Sequence, residues 1–305
     1  MQKTLCFSSI TPGAVNRTGV HHLDVSGKGI NVTRVLTQLE KKAVHLTQLG
    51  GDLQPLFLSL CEQDELDVKW VESKSQIRFC YTVINESNNE VTELVEESSP
   101  VAPQTETRLL EKFDSLLENA SPLLSSSASS APSAITARFS SIIISGTKAV
   151  GYSDIVIPNM VRKAKEKGLR VILDIKGKDL IECLKYEPDV IKPNLDEFIE
   201  TFGINKESPR IYADLRGIIM EIIIKNKCRI VLTNGNKNVL AADGSNFYEI
   251  VVPAVKAVNT TGCGDAFTAG LAAALSGGAD FNTAINEGIR CGALNAALVK
   301  PGVIR

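Results

Sequence analysis

Residues Asn259 to Gly270 read NTTGCGDAFTAG, and their types and spacing suit the handling of an anion. Gly262 and Gly264 flank Cys263, so bare backbone N–H groups can approach a charged ligand that side chains would otherwise hold off. The run from Ala266 to Leu275 is rich in alanine and leucine. It predicts a helix whose positive end faces that anion. Asp265 then stands beside a bound phosphate, placed to take a proton from an attacking hydroxyl. Phosphoryl transfer is the chemistry these parts suit. The Gly-x-Gly-Asp tetrad taken alone reads equally well as a tight turn before a helix, with the aspartate complementing the dipole.

A second constellation is SGKGINVTRVL, Ser26 to Leu36. Gly27 and Gly29 bracket Lys28, an arrangement that favours an anion close to backbone at a helix start. Lys28, Asn31 and Arg34 recur every three residues and share a polar face, which in the plainer reading is the wet side of an amphipathic helix. Further on, Lys192-Pro193-Asn194-Leu195-Asp196-Glu197 contains an N-x-x-E pair, the pattern of a helix-capping box. Thr233-Asn234-Gly235 closes the apolar run CRIVL as a turn. Arg78 sits among apolar residues in QIRFCYTVI, where an isolated arginine commonly guards an edge strand.

Elements that could position these residues alternate along the chain. Strands are predicted at 4–8, 44–49, 141–145, 169–175, 189–192 and 229–233, and helices at 31–39, 106–117, 154–167 and 212–224. Val32, Val35, Leu36 and Leu39 form a buried helical stripe by their spacing. Continuous apolar strands suit a parallel sheet covered on both faces, and strand–helix alternation implies a doubly wound α/β fold. Ligands of such sheets lie beyond the strand carboxyl ends, where Asp174 would end RVILD. The segment 76–96 breaks the rhythm: two β-rich runs flank Ser87-Asn88-Asn89 and predict a hairpin. Residues 121–133, SPLLSSSASSAPS, read as a flexible surface insertion.

Composition narrows the classes. The chain has 305 residues, 44% hydrophobic and 22% charged, with a formal net charge of -2. That is a globular composition with no electrostatic case for nucleic acid. No apolar run approaches the roughly 18 residues of a membrane span, and MQKTLCFSS is too short an apolar stretch for a signal peptide. Seven cysteines, an odd number without a C-x-x-C pair, point to free thiols in a cytoplasmic protein. With only His21, His22 and His45 present, a zinc site is not expected, and the first two read as a solvated loop. No G-x-x-x-x-G-K-[ST] occurs, and no G-x-G-x-x-G follows the first strand, which removes P-loop and dinucleotide readings. Cys263 as a covalent nucleophile ranks well behind the anion-hole reading, since no histidine lies nearby in sequence.

Taken in order, these motifs resemble the signatures of the PfkB (ribokinase-like) carbohydrate kinases. NTTGCGDAFTAG is similar to N-T-x-G-A-G-D-x-F-x-A-G, with Cys263 in place of alanine or serine. SGKGINV is similar to G-G-K-G-x-N-x-A, with Ser26 in place of the first glycine. GKGINVTRVL, the Arg78 position and NESNNEVTELVEE look most like the 1-phosphofructokinase and tagatose-6-phosphate kinase branch. The resemblance spans almost the whole chain and implies one ribokinase-like α/β domain over 1–305, a mostly parallel sheet flanked by helices. A small β lid is implied at about 9–25 and 76–97.

Roles follow from the same resemblance. It implies Asp265 as catalytic base with Gly262, Cys263 and Gly264 as anion hole, and sugar contacts from Asn16, Gly27, Lys28 and Asn31. Arg78 would hold a phosphate already on the sugar, as guanidinium geometry permits. Lys192, Asn194, Thr233, Gly235 and Asn295 would serve ATP, and Asn194 and Glu197 would support Mg²⁺ indirectly. The implied reaction is ATP-dependent phosphorylation of a phosphorylated ketohexose, fructose 1-phosphate first, by a homodimer joined through its lids. Two departures bear on the sugar: Asn16 stands where N-P-x-x-D would give aspartate, and Thr147-Lys148-Ala149-Val150 replaces a G-S-L-P turn. A weakly active sugar-phosphate sensor of the same fold is the competing class.

Overall fold

The computed structural model describes residues 1–118, 139–244 and 246–305. The serine-rich stretch 121–133 lies outside the described residues. The chain divides into two compact units, one of Met1–Thr105, Ala149–Gly151 and Val252–Arg305, the other of Glu106–Lys148 and Tyr152–Val251.

The first unit opens with β1 (Gln2–Phe7) and β2 (Val20–Asp24), then α1 (Lys28–Gln38), β3 (Val44–Leu49), α2 (Gln54–Gln63), β4 (Asp67–Glu72), β5 (Cys80–Asn85) and β6 (Glu90–Val95). β3 and β4 form a parallel pair, while the other four strands make one sheet in the order β2-β1-β5-β6. Thus the two segments expected to build a lid, 9–25 and 76–97, meet through β1, which runs parallel to β5 and antiparallel to β2. This corrects the sequence expectation for the first strand, which had placed it among the central parallel strands. The apolar run TLCF conceals a strict alternation: within β1, Gln2, Thr4 and Cys6 are buried, and Lys3, Leu5 and Phe7 are only half-buried. That alternation is the signature of a sheet with two unlike faces. His21 and His22 are exposed on β2 rather than in a loop. The expected hairpin is present, with Asn89 at φ 56° in its turn.

The second unit holds α3 (Gln104–Glu118) from Glu106 onward, β7 (Ser141–Ser145), α4 (Val156–Glu166), β8 (Arg170–Asp174), α5 (Gly177–Leu184) and β9 (Val190–Ile191). It continues with α6 (Leu195–Phe202), α7 (Ile211–Asn226), β10 (Arg229–Asn234), β11 (Lys237–Asp243) and β12 (Asn246–Ile250). These six strands form one sheet in the order β12-β11-β10-β9-β8-β7. β7 to β10 are parallel, and β11 and β12 are antiparallel additions. Val171, Ile172, Leu173, Val190, Ile191, Ile230, Val231 and Leu232 are all essentially inaccessible, as continuous apolar strands buried on both faces should be.

α8 (Cys263–Ser276) and α9 (Phe281–Ala296) return to the first unit. Their small residues permit close approach. A Cβ on Gly270 would lie 2.7 Å from the Glu287 carbonyl oxygen, and one on Gly288 would lie 2.9 Å from the Phe267 ring. α8 is therefore fixed against α9 without a methyl group's slack.

Candidate active site

The loop Asn259 to Gly262 delivers the chain into α8. Gly262 caps the helix at φ 81°, a left-handed conformation that L side chains rarely adopt. A Cβ there would also press on Gly302 N and Pro301 Cβ, both at 3.1 Å. The loop before it is tied by Asn259, whose Nδ2 donates to the Val299 carbonyl at 2.8 Å and whose Oδ1 accepts from Thr261 N at 3.0 Å. Thr261 Oγ1 in turn donates to Glu93 Oε1 on β6 at 2.8 Å. The first-turn amides of α8 therefore emerge from a fixed turn, where a helix lacks intrahelical acceptors for them. Cys263 N makes a long, 3.3 Å turn bond to the Thr260 carbonyl.

Asp265 lies in this first turn and is buried, and its Oδ2 accepts from Asn31 Nδ2 at 2.8 Å. The two motifs singled out at opposite ends of the sequence, 234 residues apart, therefore meet through one hydrogen bond. α1 supplies its side of the site from its own start: Gly27 is the residue before it, at φ 137°, and Lys28 is its first, exposed residue. Asn31 and Arg34 are not the wet face that their spacing allowed; they are only 3% and 4% exposed. Arg34 Nη1 donates to Asn31 Oδ1 at 3.2 Å and to the Pro301 carbonyl at 2.9 Å, and Nη2 donates to the Val25 carbonyl at 2.6 Å. Asp64 pairs with the same guanidinium at 2.8 Å and with Lys300 at the same distance. Of the expected stripe, Val32 and Val35 are buried and Leu36 and Leu39 half-buried.

Asn295 requires a correction. It is fully buried and spends its amide on protein, donating to the Thr261 carbonyl at 2.9 Å and accepting from Gly302 N at 2.7 Å. It supports the loop from behind and is not presented to a nucleotide. Its Nδ2 also lies 3.4 Å from Cys263 Sγ. Burial pushes the Cys263 thiol above its ordinary value, and the Asn295 bond offsets this only in part. A thiol so held is a poor nucleophile at neutral pH.

Two other sugar-site expectations meet the structure differently. Arg78 lies in the segment just before β5, not on the strand, and its exposed side chain donates from Nη1 to the Glu96 carbonyl at 3.1 Å. Asn16 closes its own loop: Oδ1 accepts from Thr11 N at 2.9 Å, and Nδ2 donates to the carbonyls of Thr11 and Ala14 at 3.0 and 3.1 Å. Such bonding is the ordinary turn chemistry of asparagine.

In the second unit, Asn194 and Glu197 form the expected capping box at the start of α6. Asn194 Oδ1 accepts from Glu197 N at 2.8 Å, and Glu197 Oε2 accepts from Asn194 N at 3.0 Å. Asn194 also bridges to Thr233 across the ends of the parallel strands, and Gly235 turns the chain from β10 to β11 at φ 58°. Lys192 is 2% exposed and pairs with Asp174 at 3.3 Å. Lys192, Asn194 and Thr233 thus gather at one end of the six-stranded sheet, the end where such sheets take ligands. Among the described residues no cluster of three or more His, Cys, Asp or Glu could cage a metal. Asn194 and Glu197 at the start of α6 are oxygen donors, the hard kind that can hold the waters of a Mg²⁺.

Reading the sequence did not assign a role to Arg34, Asp64, Asn259 or the Pro301-Gly302 pair. Only Arg34 carried a signal, its three-residue spacing from Asn31.

Residues 6–302 match the pfkB family of carbohydrate kinases. Among solved structures, phosphofructokinase-2 from Escherichia coli in complex with fructose-6-phosphate superposes with a TM-score of 0.80 at 22% identity, over 97% of this chain and 90% of that one. A possible 1-phosphofructokinase from Thermotoga maritima superposes with a TM-score of 0.81 at 18% identity, over 98% and 89% of the two chains. The α/β, ribokinase-like architecture read from the sequence is thereby established. With the family's signature loop and its partner asparagine joined at one carboxylate, the chain belongs to the pfkB family of carbohydrate kinases, sugar-phosphorylating phosphotransferases.

Proposed function

We propose that this protein transfers the γ-phosphoryl group of ATP to a phosphorylated ketohexose, with fructose 1-phosphate as the first candidate acceptor. The observation that carries the reading is the Asn31–Asp265 hydrogen bond at 2.8 Å, which brings the two motif regions to one point. Asp265 takes the proton from the acceptor hydroxyl as that oxygen attacks the γ-phosphorus. Amides of Gly262, Cys263 and Gly264 offset the charge that develops on the transferring oxygens, with Cys263 N exchanging its long bond to the Thr260 carbonyl for one to the phosphoryl group. Gly27, Lys28, Asn31 and Asn16 orient the sugar, and Arg78 receives its existing phosphate. Lys192, Asn194, Thr233 and Gly235 serve the nucleotide, and Asn194 with Glu197 would hold the water shell of Mg²⁺. The metal, when bound, supplies charge neutralisation along the phosphates.

We further read the β2-β1-β5-β6 sheet as a lid whose outer face pairs with a second copy. Leu23, Lys3, Tyr81 and Leu94 stand opposite one another in register, and Leu23 and Leu94 are 38% and 56% exposed. The two leucines and the tyrosine of that row, with Lys3 between them, make a partly apolar sheet face of the kind a partner covers.

A coupled assay for ADP release over fructose 1-phosphate, fructose 6-phosphate, tagatose 6-phosphate, free ketoses and nucleosides tests the reading. Turnover confined to free sugars or nucleosides would replace the acceptor class, and binding without ADP release would favour a sensor. Arg78→Ala should raise the KM for the sugar phosphate while leaving that for ATP near its parental value; an unchanged sugar-phosphate KM removes Arg78 from the site.

A further inference from the structure

We propose that Arg34 is a positioning residue for phosphoryl transfer: it fixes which end of the Asn31 amide faces Asp265. The inference rests on Asp265 acting as the base. An asparagine side chain has a donor end and an acceptor end of nearly the same shape, and only the donor end can bond a carboxylate. Turned the other way, Asn31 would set oxygen against the oxygen of Asp265. A guanidinium only donates and never loses its charge, so the atom it faces must be Oδ1. Arg34 Nη1 stands 3.2 Å from Asn31 Oδ1, and Ser26 Oγ donates to the same oxygen at 3.4 Å. The Asn31 NH₂ is thereby left to Asp265 at 2.8 Å.

Arg34 can impose this because it is itself immobilised. Its remaining donors go to the Pro301 carbonyl, the Val25 carbonyl and Asp64, and its side chain is 5% exposed. The Pro301 bond extends the effect. The Pro301-Gly302 segment is what a Cβ on Gly262 would strike, and a Cβ on Gly302, at φ 70°, would come within 2.8 Å of the Asn31 Cα. One guanidinium thus braces the amide beside the base and the segment behind the anion loop.

A double-mutant cycle on kcat decides between positioning and general support. Arg34→Lys keeps a charge for Asp64 but cannot span three other acceptors from fixed donors. It should lower kcat by roughly 10²-fold in the parent, the scale of a misplaced reacting group. In an Asn31→Ala background the same change should cost less than about 3-fold, because the group it acts through is gone. Equal losses in both backgrounds overturn the proposal. A second readout needs no turnover: solvent exchange of the Asn31 side-chain amide in the parent and in Arg34→Lys, assigned as the resonance pair lost in Asn31→Ala. Slow exchange in the parent that quickens in Arg34→Lys supports the clamp, and equal exchange in the two proteins overturns it. If the parent turns over no acceptor, the functional reading fails while this measurement still judges the Arg34 clamp.

Discussion

Asp265 and Asp174 are both aspartates withdrawn from solvent, 6% and 2% exposed, yet they are held in opposite ways. Asp174 ends β8 beside an ammonium, Lys192 Nζ at 3.3 Å, with Ser145 Oγ at 3.4 Å. Asp265 accepts from the amide of Asn31, whose other end is held by Arg34. A direct ion pair in a dry interior is a fixture, because removing either partner strands a charge. A carboxylate held by an amide that relays to a more distant cation keeps its position with less dependence on any one charge. The first arrangement joins the ends of neighbouring strands, and the second joins the opening turns of α1 and α8.

That contrast can be broken by experiment. Asp265→Asn should lose about 10²–10⁴-fold or more in turnover with thermal stability near the parental value; turnover near the parental rate would remove the base. Lys192→Met should add a stability loss to any effect on the nucleotide, with roughly 3–5 kcal/mol lost in denaturant unfolding because Asp174 is left buried beside a thioether. A loss below about 1 kcal/mol would show that the pair is not structural.

A smaller effect concerns the start of α1. A Cβ on Gly29 would meet the His45 ring at 2.5 Å, and burial of that ring pushes its pKa down to about 4. The unfolded value is near 6.5, so the folded protein prefers neutral His45. Stability from this source is complete above pH 6.5 and declines as pH falls toward 4, by on the order of 2 kcal/mol after allowance for partial exposure. His45→Gln should flatten this part of the stability–pH curve, and a curve of unchanged slope would acquit His45. Smallest of all, Gly217→Ala in α7 should stabilise by about 0.4–1 kcal/mol, since nothing lies within 4 Å of its Cβ position. The same change at Gly270 in α8 should destabilise, and equal outcomes would deny the tight α8–α9 contact.

Much of this was legible beforehand where a local rule was enough. β3 and β7 occur at the predicted bounds, β7 because its run of three isoleucines leaves little alternative. β9 is shorter than predicted, two residues against four, as Pro193 offers no amide to prolong it. The capping box needed only its own four residues. What escaped was decided at a distance. A polar stripe on a helix looks the same whether it faces water or a carboxylate 234 residues away, so the burial of Asn31 and Arg34 could not be read from their spacing. Asn295 was misassigned for the same reason: its partners, Thr261 and Gly302, lie outside its own helix.

The sulfur at position 263 has a practical corollary. It is the first residue of α8, yet burial keeps it protonated, as burial also does for Cys61, pushed up to about 11, and Cys183, Cys228 and Cys291, each to about 12. Peroxide and alkylating reagents attack the thiolate form. A protein that carries seven unbridged cysteines should therefore tolerate oxidant better than that number promises, Cys263 among those shielded by desolvation and not by the lack of a reactive atom.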